Sequence, residues 1–237
     1  SSPHLKIHVQ KVILPVDSVR NEAIMVTLIE NQIKEIEKNL QEMISLVLSM
    51  HQDVQAALKS MDSKRALAVI KRDEQVNNLD EIINESVLTF LATQAPVAKD
   101  LRSTMAMIRV ANDVERIGDY AKTISEFIIL AKPMYVPFKD YIDDMYANFI
   151  KMFVSATELF FTPVLEKTFE ISNQDQLIDA KLKRAFNDIP KIANTENIMS
   201  VLDTFNIIRT LERAGDHTKN ICEAVIFKIK GKKIDLG

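Results

Sequence analysis

Two polar phrases of this sequence place the same carboxylates at the same spacing. The phrase ERIGD begins at Glu115, and ERAGD begins at Glu212, ninety-seven residues later. Residues four apart lie on one face of a helix, so each glutamate is stacked beside the aspartate that ends its phrase, Asp119 or Asp216. Paired carboxylates are suitable ligands for a hard or borderline cation. The two phrases therefore predict one candidate metal site in each half of the chain.

Each phrase is accompanied by a second candidate pair earlier in its half. Asp73 and Asn77 are four residues apart, as are Asp175 and Asp179. In a three-helix bundle each pair can present two oxygens toward the helix that carries the phrase. The first pair has one carboxylate fewer than the second. The alternative interpretation is that these residues are charges or caps at helix N-termini.

The phrases also share features that cost helix stability. Like charges four apart cost about 0.2–0.5 kcal/mol, and a mid-helix glycine costs up to about 1 kcal/mol relative to alanine. Gly118 and Gly215 stand at matched positions, which favours a role such as the close approach of a neighbouring helix. The competing interpretation is a solvated salt-bridge face, in which Lys122, Lys219 and the arginine of each phrase neutralise the carboxylates.

No sequence signature supports catalysis. Motifs of the forms GxxxxGK[ST], GxGxxG, HExxH and GxSxG are absent. The four histidines are scattered and the single cysteine, Cys222, lies on an apolar helical stripe, so a nucleophile–base pair has no support. Neither phrase has the histidine three residues after its glutamate that ferritin-like di-metal sites require. We therefore expect no catalytic residues and no enzyme, with a di-metal carboxylate oxidase as the disfavoured alternative.

The composition excludes several classes of protein. The 237 residues carry a net charge of -3, so there is no general basic surface for nucleic acid. One cysteine cannot build an intrachain disulfide framework, which favours a reducing compartment. No stretch is apolar over the eighteen or more residues that a membrane span needs. We therefore expect a cytoplasmic, helix-rich globular protein that binds no nucleic acid.

The elements that must position the carboxylates are helices. Apolar residues at helical spacing, interrupted by prolines and caps, predict six of them: about 26–59, 63–91, 100–130, 140–161, from Pro163 to about 186, and 196–228. The fifth is expected to end before a loop through Pro190. The segment KPMYVPF, with two prolines, is the strongest boundary and divides the six into three and three.

The third helix of each half carries the same apolar stripe. A shift of ninety-seven residues aligns Val110, Val114, Ile117, Ala121, Ile124 and Ile128 with Ile207, Leu211, Ala214, Thr218, Ile221 and Val225. Spacings of four and three place each set on one helix face. The sequence therefore predicts a duplicated three-helix unit whose copies stack on a shared core.

Two segments closely resemble the twin signature segments of the PhoU family of bacterial phosphate-uptake regulators. They are ATQAPVAKDLRSTMAMIRVANDVERIGDYAKTISE, residues 92–126, and NIIRTLERAGDHTKNICEAV, residues 206–225. The resemblance implies an all-α fold of two tandem three-helix bundles related by an internal pseudo-twofold repeat. The expected divisions are an N-terminal extension 1–25, a first bundle 26–131, a proline linker 132–137, a second bundle 138–230 and a tail 231–237.

The resemblance also implies metal ligands. Members of the family hold multinuclear iron or zinc clusters between pairs of E/D-x-x-x-D motifs. The matching third-helix motifs here are Glu115 with Asp119 and Glu212 with Asp216, and their second-helix partners are Asp73 with Asn77 and Asp175 with Asp179. Asn77 departs from the pattern, which weakens the case for tight metal binding in the first repeat.

The function implied by the resemblance is binding without chemistry. The resemblance implies a negative regulator that binds the ATPase of a phosphate ABC transporter and a sensor histidine kinase. These partners would bring the protein to the membrane. We also expect a homodimer. Because the first twenty or so residues do not resemble the family's start, a soluble domain of a sodium/phosphate transporter is one alternative. A metal-free helical adaptor, whose charged stripes are solvated faces, is another.

Overall fold

A computed structural model describes residues 16–94 and 96–236 of the chain, and within them it contains helices and no strand. The α-helices are α1 Val16–Ser60, α2 Ser63–Gln94, α3 Ala98–Ile129, α4 Lys139–Phe161, α5 Leu165–Ser172, α6 Asp175–Ile192 and α7 Ile198–Lys230. No helix in the described part of the chain has the length and apolar character required to cross a membrane. Residues 1–15 of the predicted N-terminal extension lie outside the described residues.

Local sequence explains where the first helices begin and end. Helix α1 starts at Val16, earlier than the predicted start near residue 26, and continues without a break to Ser60. Two residues later the carboxylate of Asp62 accepts hydrogen bonds from the backbone N–H groups of Lys64 and Arg65, at 3.0 and 3.1 Å. This side chain satisfies N–H groups that the first turn of α2 leaves free, as an N-cap does.

The predicted fold class is confirmed. Helices α1, α2 and α3 pack together as a first bundle, and α4, α5, α6 and α7 pack together as a second. The two bundles meet chiefly through their third helices, α3 and α7, and to a smaller extent through α1 and α4. The apolar stripes of α3 and α7 are buried in this shared core, as the repeat predicted.

The second helix of the second bundle is divided, which the sequence analysis did not predict. Helix α5 ends at Ser172 and α6 begins at Asp175. Between them the backbone tightens, since the N–H of Gln174 bonds to the carbonyl of Ile171 and the N–H of Leu177 to that of Gln174. The division places Asp175 in the first turn of α6, where the helix dipole favours a negative charge.

The predicted loop through Pro190 is wrong. Helix α6 continues to Ile192 with Pro190 inside it. A proline lacks a backbone N–H and crowds the carbonyl four residues earlier, which breaks a helix in its middle. Pro190 lies in the last turn, so the ladder beyond it is short, and the N–H of Ala193 still bonds to the carbonyl of Ile189 at 2.9 Å.

Candidate functional site

The predicted ligands lie in two groups, called here the first and the second cluster, one on each pair of second and third helices. The first cluster consists of Asp73 and Asn77 on α2 with Glu115 and Asp119 on α3. The second cluster consists of Asp175 and Asp179 on α6 with Glu212 and Asp216 on α7. The two clusters differ in geometry, so each is described separately.

The second cluster brings three carboxylates together. Asp175, Asp179 and Asp216 each offer one oxygen, and the three oxygens lie within 4.8 Å of one another. Among the described residues, these three form the group of carboxylate, histidine or cysteine side chains that lie close enough together to hold a metal ion. Asp175 is 2% exposed, and its Oδ1 atom is buried with no hydrogen-bond partner. A buried carboxylate oxygen without a partner is costly, and a bound cation would satisfy it.

Gly215 makes room for this arrangement. A Cβ atom at position 215 would lie 2.7 Å from Oδ1 of Asp175 and 3.1 Å from Cδ1 of Ile178. The carboxylate of α6 therefore rests against the bare backbone of α7. The sequence interpretation, that this glycine allows close packing beneath the carboxylates, agrees with the geometry here.

A lysine already lies among the carboxylates of the second cluster. The Nζ atom of Lys219 is 3.0 Å from Oδ2 of Asp175 and 3.6 Å from Oδ1 of Asp216. Its side chain is only 15% exposed. Burial lowers the pKa of Lys219, but the hydrogen bond to Asp175 and the surrounding negative charges outweigh burial, so that its pKa is raised. The ammonium group stays charged and offsets part of the negative charge.

The pKa values of Asp175 and Glu212 are raised although Lys219 is present. Burial raises the pKa of Asp175, and the charges of Asp179 and Asp216 add to the shift, while Lys219 opposes it. Burial also raises the pKa of Glu212, followed by the charge of Asp216 and then those of Asp179 and Asp175. Ionisation of Asp175 and Glu212 is therefore less favourable than it is in water, even with Lys219 present, and an added cation would favour it.

The first cluster is organised as salt bridges. Nζ of Lys122 lies 2.5 Å from Oδ2 of Asp73, which is 5% exposed. The guanidinium of Arg116 lies 3.4 Å from Asp119 and 3.6 Å from Glu115. Asn77 is exposed on α2. The salt-bridge interpretation therefore describes this cluster, and its residues do not form a three-carboxylate group.

Gly118 has a different neighbour from Gly215. A Cβ atom there would lie 3.3 Å from Cγ2 of Val47 and 3.4 Å from Cγ1 of Val76. The matched glycine of the first repeat thus accommodates apolar side chains and not a carboxylate. Close helix packing is common to both glycines, and the contact with a cluster carboxylate is confined to the second repeat.

Asp80 is a carboxylate that the sequence analysis missed. Its Oδ1 atom is buried with no hydrogen-bond partner, and burial raises its pKa. It is one of the charges that raise the pKa of Glu115, after burial and the charge of Asp119. Its position seven residues after Asp73, on the same face of α2, was the available signal.

The contact between α3 and α7 contains a polar group that no motif indicated. Oδ1 of Asp113 lies 2.8 Å from Nδ1 of His217 and accepts a hydrogen bond of 3.0 Å from the side-chain amide of Asn220. Asp113 is more than one hundred residues from His217 and Asn220 in the sequence, and the crossing of α3 and α7 brings them together.

Cys222 is fully buried, and burial raises the pKa of its thiol to about 12, so it is a packing residue as expected.

The residues present fit a cation in one of the two clusters. The second cluster offers three close carboxylates, one of them with a buried oxygen that has no hydrogen-bond partner. Oxygen ligands of this kind suit iron and zinc as well as harder ions. In the first cluster the buried carboxylate, Asp73, is bonded to Lys122, and Asn77 supplies no charge. The first cluster as arranged does not fit a metal.

Both bundles are similar to proteins of known family. The family model described as PhoU domain matches residues 40–128 and 142–225, one match for each repeat. Among curated proteins, the phosphate-specific transport system accessory protein PhoU homolog of Clostridium acetobutylicum is 28% identical over 213 residues, covering 87% of this chain and 96% of the relative. The PhoU of Escherichia coli K12 is 26% identical over 208 residues, covering 85% of each chain.

Solved structures share the same architecture. The crystal structure of PhoU from Pseudomonas aeruginosa matches with a TM-score of 0.79 and 27% identity, covering 86% of this chain and 99% of that one. The phosphate transport system regulatory protein PhoU from Streptococcus pneumoniae matches with a TM-score of 0.78 at 23% identity, which supports the fold alone. Because the family model covers both repeats, this chain belongs to the PhoU domain family.

Proposed function

We propose that this protein is an accessory regulator of phosphate transport that restrains uptake and phosphate-starvation signalling when phosphate is plentiful. The observation that carries the proposal is the match of the PhoU domain model to both repeats. It is supported by relatives named as accessory proteins of the phosphate-specific transport system, which align over most of their own length. We propose the same accessory role for this chain.

The proposed mechanism is binding, with no chemical conversion of a substrate. The protein would act from the cytoplasm on the ATPase of a phosphate ABC transporter and on a sensor histidine kinase. Two helical bundles that pack on one shared core suit such a role, since they offer large preformed surfaces. The charged faces of α2, α3, α6 and α7 supply the specificity that complementary charges give to an encounter.

We also propose that the second cluster binds iron or zinc, as a single ion or a multinuclear cluster. Asp175, Asp179 and Asp216 would be the ligands, and Glu212 lies in the same electrostatic field. A bound metal would supply positive charge that links α6 to α7. The observation behind this part is the convergence of three carboxylates around a buried oxygen without a hydrogen-bond partner.

Deletion of the coding sequence in its own host tests the regulatory role. In phosphate-replete medium we expect phosphate uptake and a phosphate-starvation reporter both to rise, and wild-type protein supplied in trans to restore them. A variant with Asp179→Asn and Asp216→Asn separates the metal from the role, with Glu158→Gln, an exposed carboxylate of α4, as the control. Unchanged uptake and signalling in the deletion strain would refute the proposal.

The same strain distinguishes the alternative of a sodium/phosphate transporter domain. In that case deletion would change sodium-dependent uptake and leave the starvation reporter at its replete level. Capture experiments with the purified ABC ATPase and the sensor kinase of the host identify the partner directly. A di-metal oxidase would instead show oxygen consumption by the iron-loaded protein.

A further inference from the structure

A continuous surface is formed where α3 begins and α7 ends. A Cβ atom on Gly231, the residue that follows α7, would lie 3.0 Å from Cδ of Arg102 in the second turn of α3. Residues 231–236 turn back along α7, since the backbone N–H of Leu236 donates a hydrogen bond of 3.0 Å to Oε1 of Glu223. The start of α3, the end of α7 and these six residues therefore lie together, and they are called here the basic surface.

Cations outnumber carboxylates on the basic surface. Residues 97–109 and 228–236 contain seven lysines and arginines and two aspartates. Lys233 and Arg109 line one cavity of about 390 Å³, so the two segments also meet at this point. The seven cations are Lys99, Arg102, Arg109, Lys228, Lys230, Lys232 and Lys233. The surface is thus strongly positive in a chain whose net charge is -3.

Several of these cations face solvent without a carboxylate partner. Lys99, Lys230 and Lys232 are exposed, and within residues 16–94 and 96–236 none of the three has a carboxylate oxygen inside salt-bridge distance. Lys228 is half-buried. Burial lowers its pKa, the charge of Glu37 opposes this shift, and the charge of Lys99 adds to it. Lys99 and Lys228 therefore repel each other, and a layer of anions facing the surface would relieve that repulsion.

Apolar side chains are exposed among the cations. Val97 is 68% exposed, Leu101 42% and Ile229 41%. Ile229 lies between two lysines in the sequence, and Val97 and Leu101 flank Lys99. Lysines and arginines around exposed apolar side chains are typical of proteins that lie on an anionic membrane. A small inorganic anion would use the cations and leave these three side chains in water.

The negative net charge of the chain does not prevent such binding. At physiological ionic strength, charges in solvent that are more than about 8 Å apart are largely screened from each other. Asp216 of the second cluster precedes Lys230 by fourteen residues of the same helix, a distance of about 21 Å. A membrane in contact with the basic surface is therefore affected chiefly by the cations of that surface.

We propose that the basic surface binds directly to the anionic headgroups of a lipid membrane. The exposed lysines would contact the headgroups, and Val97, Leu101 and Ile229 would enter the boundary between headgroups and acyl chains. The charge complementarity carries the proposal, and the exposed apolar side chains favour a lipid surface as the occupant. This contact needs no protein partner, and it depends neither on a metal nor on the regulatory role.

Flotation with lipid vesicles tests the proposal. The purified full chain, in EDTA and without partner proteins, is mixed with vesicles of phosphatidylglycerol and phosphatidylcholine in equal parts. We expect it to float with these vesicles and not with pure phosphatidylcholine, and to bind about tenfold or more weakly when sodium chloride rises from about 0.1 M to about 0.5 M. Lys230→Glu with Lys232→Glu and Lys233→Glu should lower the partition coefficient about 100-fold or more, because the anionic headgroups repel the new carboxylates.

Matched variants separate the surface from net charge and from folding. Lys139→Glu with Lys151→Glu and Lys183→Glu changes the net charge equally at exposed positions elsewhere and should retain binding. Val97→Ser with Ile229→Ser should weaken binding about tenfold with unchanged helicity, because both side chains are exposed. Inorganic phosphate at constant ionic strength should not compete. Equal binding to neutral vesicles, an equal loss in both triple variants, competition by phosphate, or no flotation at all would each overturn the proposal.

Discussion

Tyr120 and His217 occupy equivalent positions of the two repeats, ninety-seven residues apart, and their rings contact each other with centroids 5.7 Å apart. Equivalent residues can meet only where a twofold axis passes between them. The internal pseudo-twofold therefore runs through the crossing of α3 and α7. The symmetry is broken at this point, since His217 has a carboxylate neighbour in Asp113 and the position equivalent to Asp113 is Thr210.

Removal of Asp113 should destabilise the contact between the bundles. Its Oδ1 atom is shared by His217 and Asn220 of α7, and the carboxylate is largely buried. We expect Asp113→Ala to lower the free energy of unfolding by about 1 kcal/mol, because the part-buried side chains of His217 and Asn220 lose their acceptor. Urea denaturation measures the change, with the exposed neighbour Asn112→Ala as the control. Equal stability of the two variants would show that this polar contact is dispensable.

The sequence was sufficient for the parts of the fold that depend on periodicity. The apolar stripes of α3 and α7 are repeated with the same spacing, and the structure buries both. The division at Asn173 and Gln174 was missed because no proline or glycine marks it. Pro190 was over-interpreted, since a proline in the last turn of a helix removes little of the ladder.

The candidate site was predictable in its composition and not in its contacts. All eight ligand candidates lie on the expected helices, yet spacing alone did not show that Lys122 and Lys219 would bond to carboxylates of a different helix. That result depends on the rotation of α2 against α3 and of α6 against α7. The Asp113 contact depends likewise on how α3 crosses α7. Such relationships arise from tertiary packing, which a single sequence does not display.

The two matched glycines should respond differently to alanine. At Gly215 a Cβ atom would lie 2.7 Å from Oδ1 of Asp175, so in Gly215→Ala this carboxylate has to move from its present position in the second cluster. We expect a loss of about 1–3 kcal/mol and weaker metal binding. Gly118→Ala meets only Val47 and Val76 at 3.3 and 3.4 Å, and gains helix propensity of up to about 1 kcal/mol in compensation. Thermal denaturation with and without zinc compares the two, and equal effects would contradict the assigned packing.

Metal content should depend on the second cluster alone. Asp179→Asn with Asp216→Asn removes two of the three close carboxylates while leaving Asp175 paired with Lys219. We expect iron or zinc to be lost from this variant and retained when Glu115→Gln and Asp119→Asn are introduced into the first cluster. Inductively coupled plasma mass spectrometry on untagged protein after anaerobic reconstitution gives the answer. Metal that follows the first cluster instead would reverse the assignment.

Lys219 should compete with a metal for the same oxygens. Its Nζ atom is 3.0 Å from Asp175 and 3.6 Å from Asp216, so a metal on these ligands must displace the ammonium group. We expect Lys219→Met to raise zinc affinity about tenfold or more, and to lower metal-free stability by about 1–3 kcal/mol because a buried carboxylate loses its partner. Lys219→Arg retains the charge and is the control. Isothermal titration calorimetry that finds the same affinity in all three proteins would exclude competition.

His51 is a buried titratable group far from either cluster in sequence. Its Nε2 atom lies 2.8 Å from the carbonyl of Ile117, which can only accept, so Nε2 carries the proton. Nδ1 is buried with no hydrogen-bond partner, and the ring packs edge-on against Phe149 at 4.7 Å. Burial lowers the pKa of His51 from 6.5 to about 4, because the apolar surroundings disfavour the charged ring.

Stability should therefore fall in mildly acidic solution, and His51 should account for part of the fall. Because the folded pKa lies below the unfolded value, the unfolded chain binds more protons between pH 6.5 and about 4, and folding is disfavoured as the pH falls through this window. The contribution approaches about 1.4 kcal/mol per pH unit and totals about 3 kcal/mol. His51→Gln cannot titrate, so the pH dependence of its unfolding free energy, measured by urea denaturation, should be shallower by that amount. Parallel pH profiles for the wild type and the variant would show that His51 is already protonated in the folded protein or does not titrate in this range.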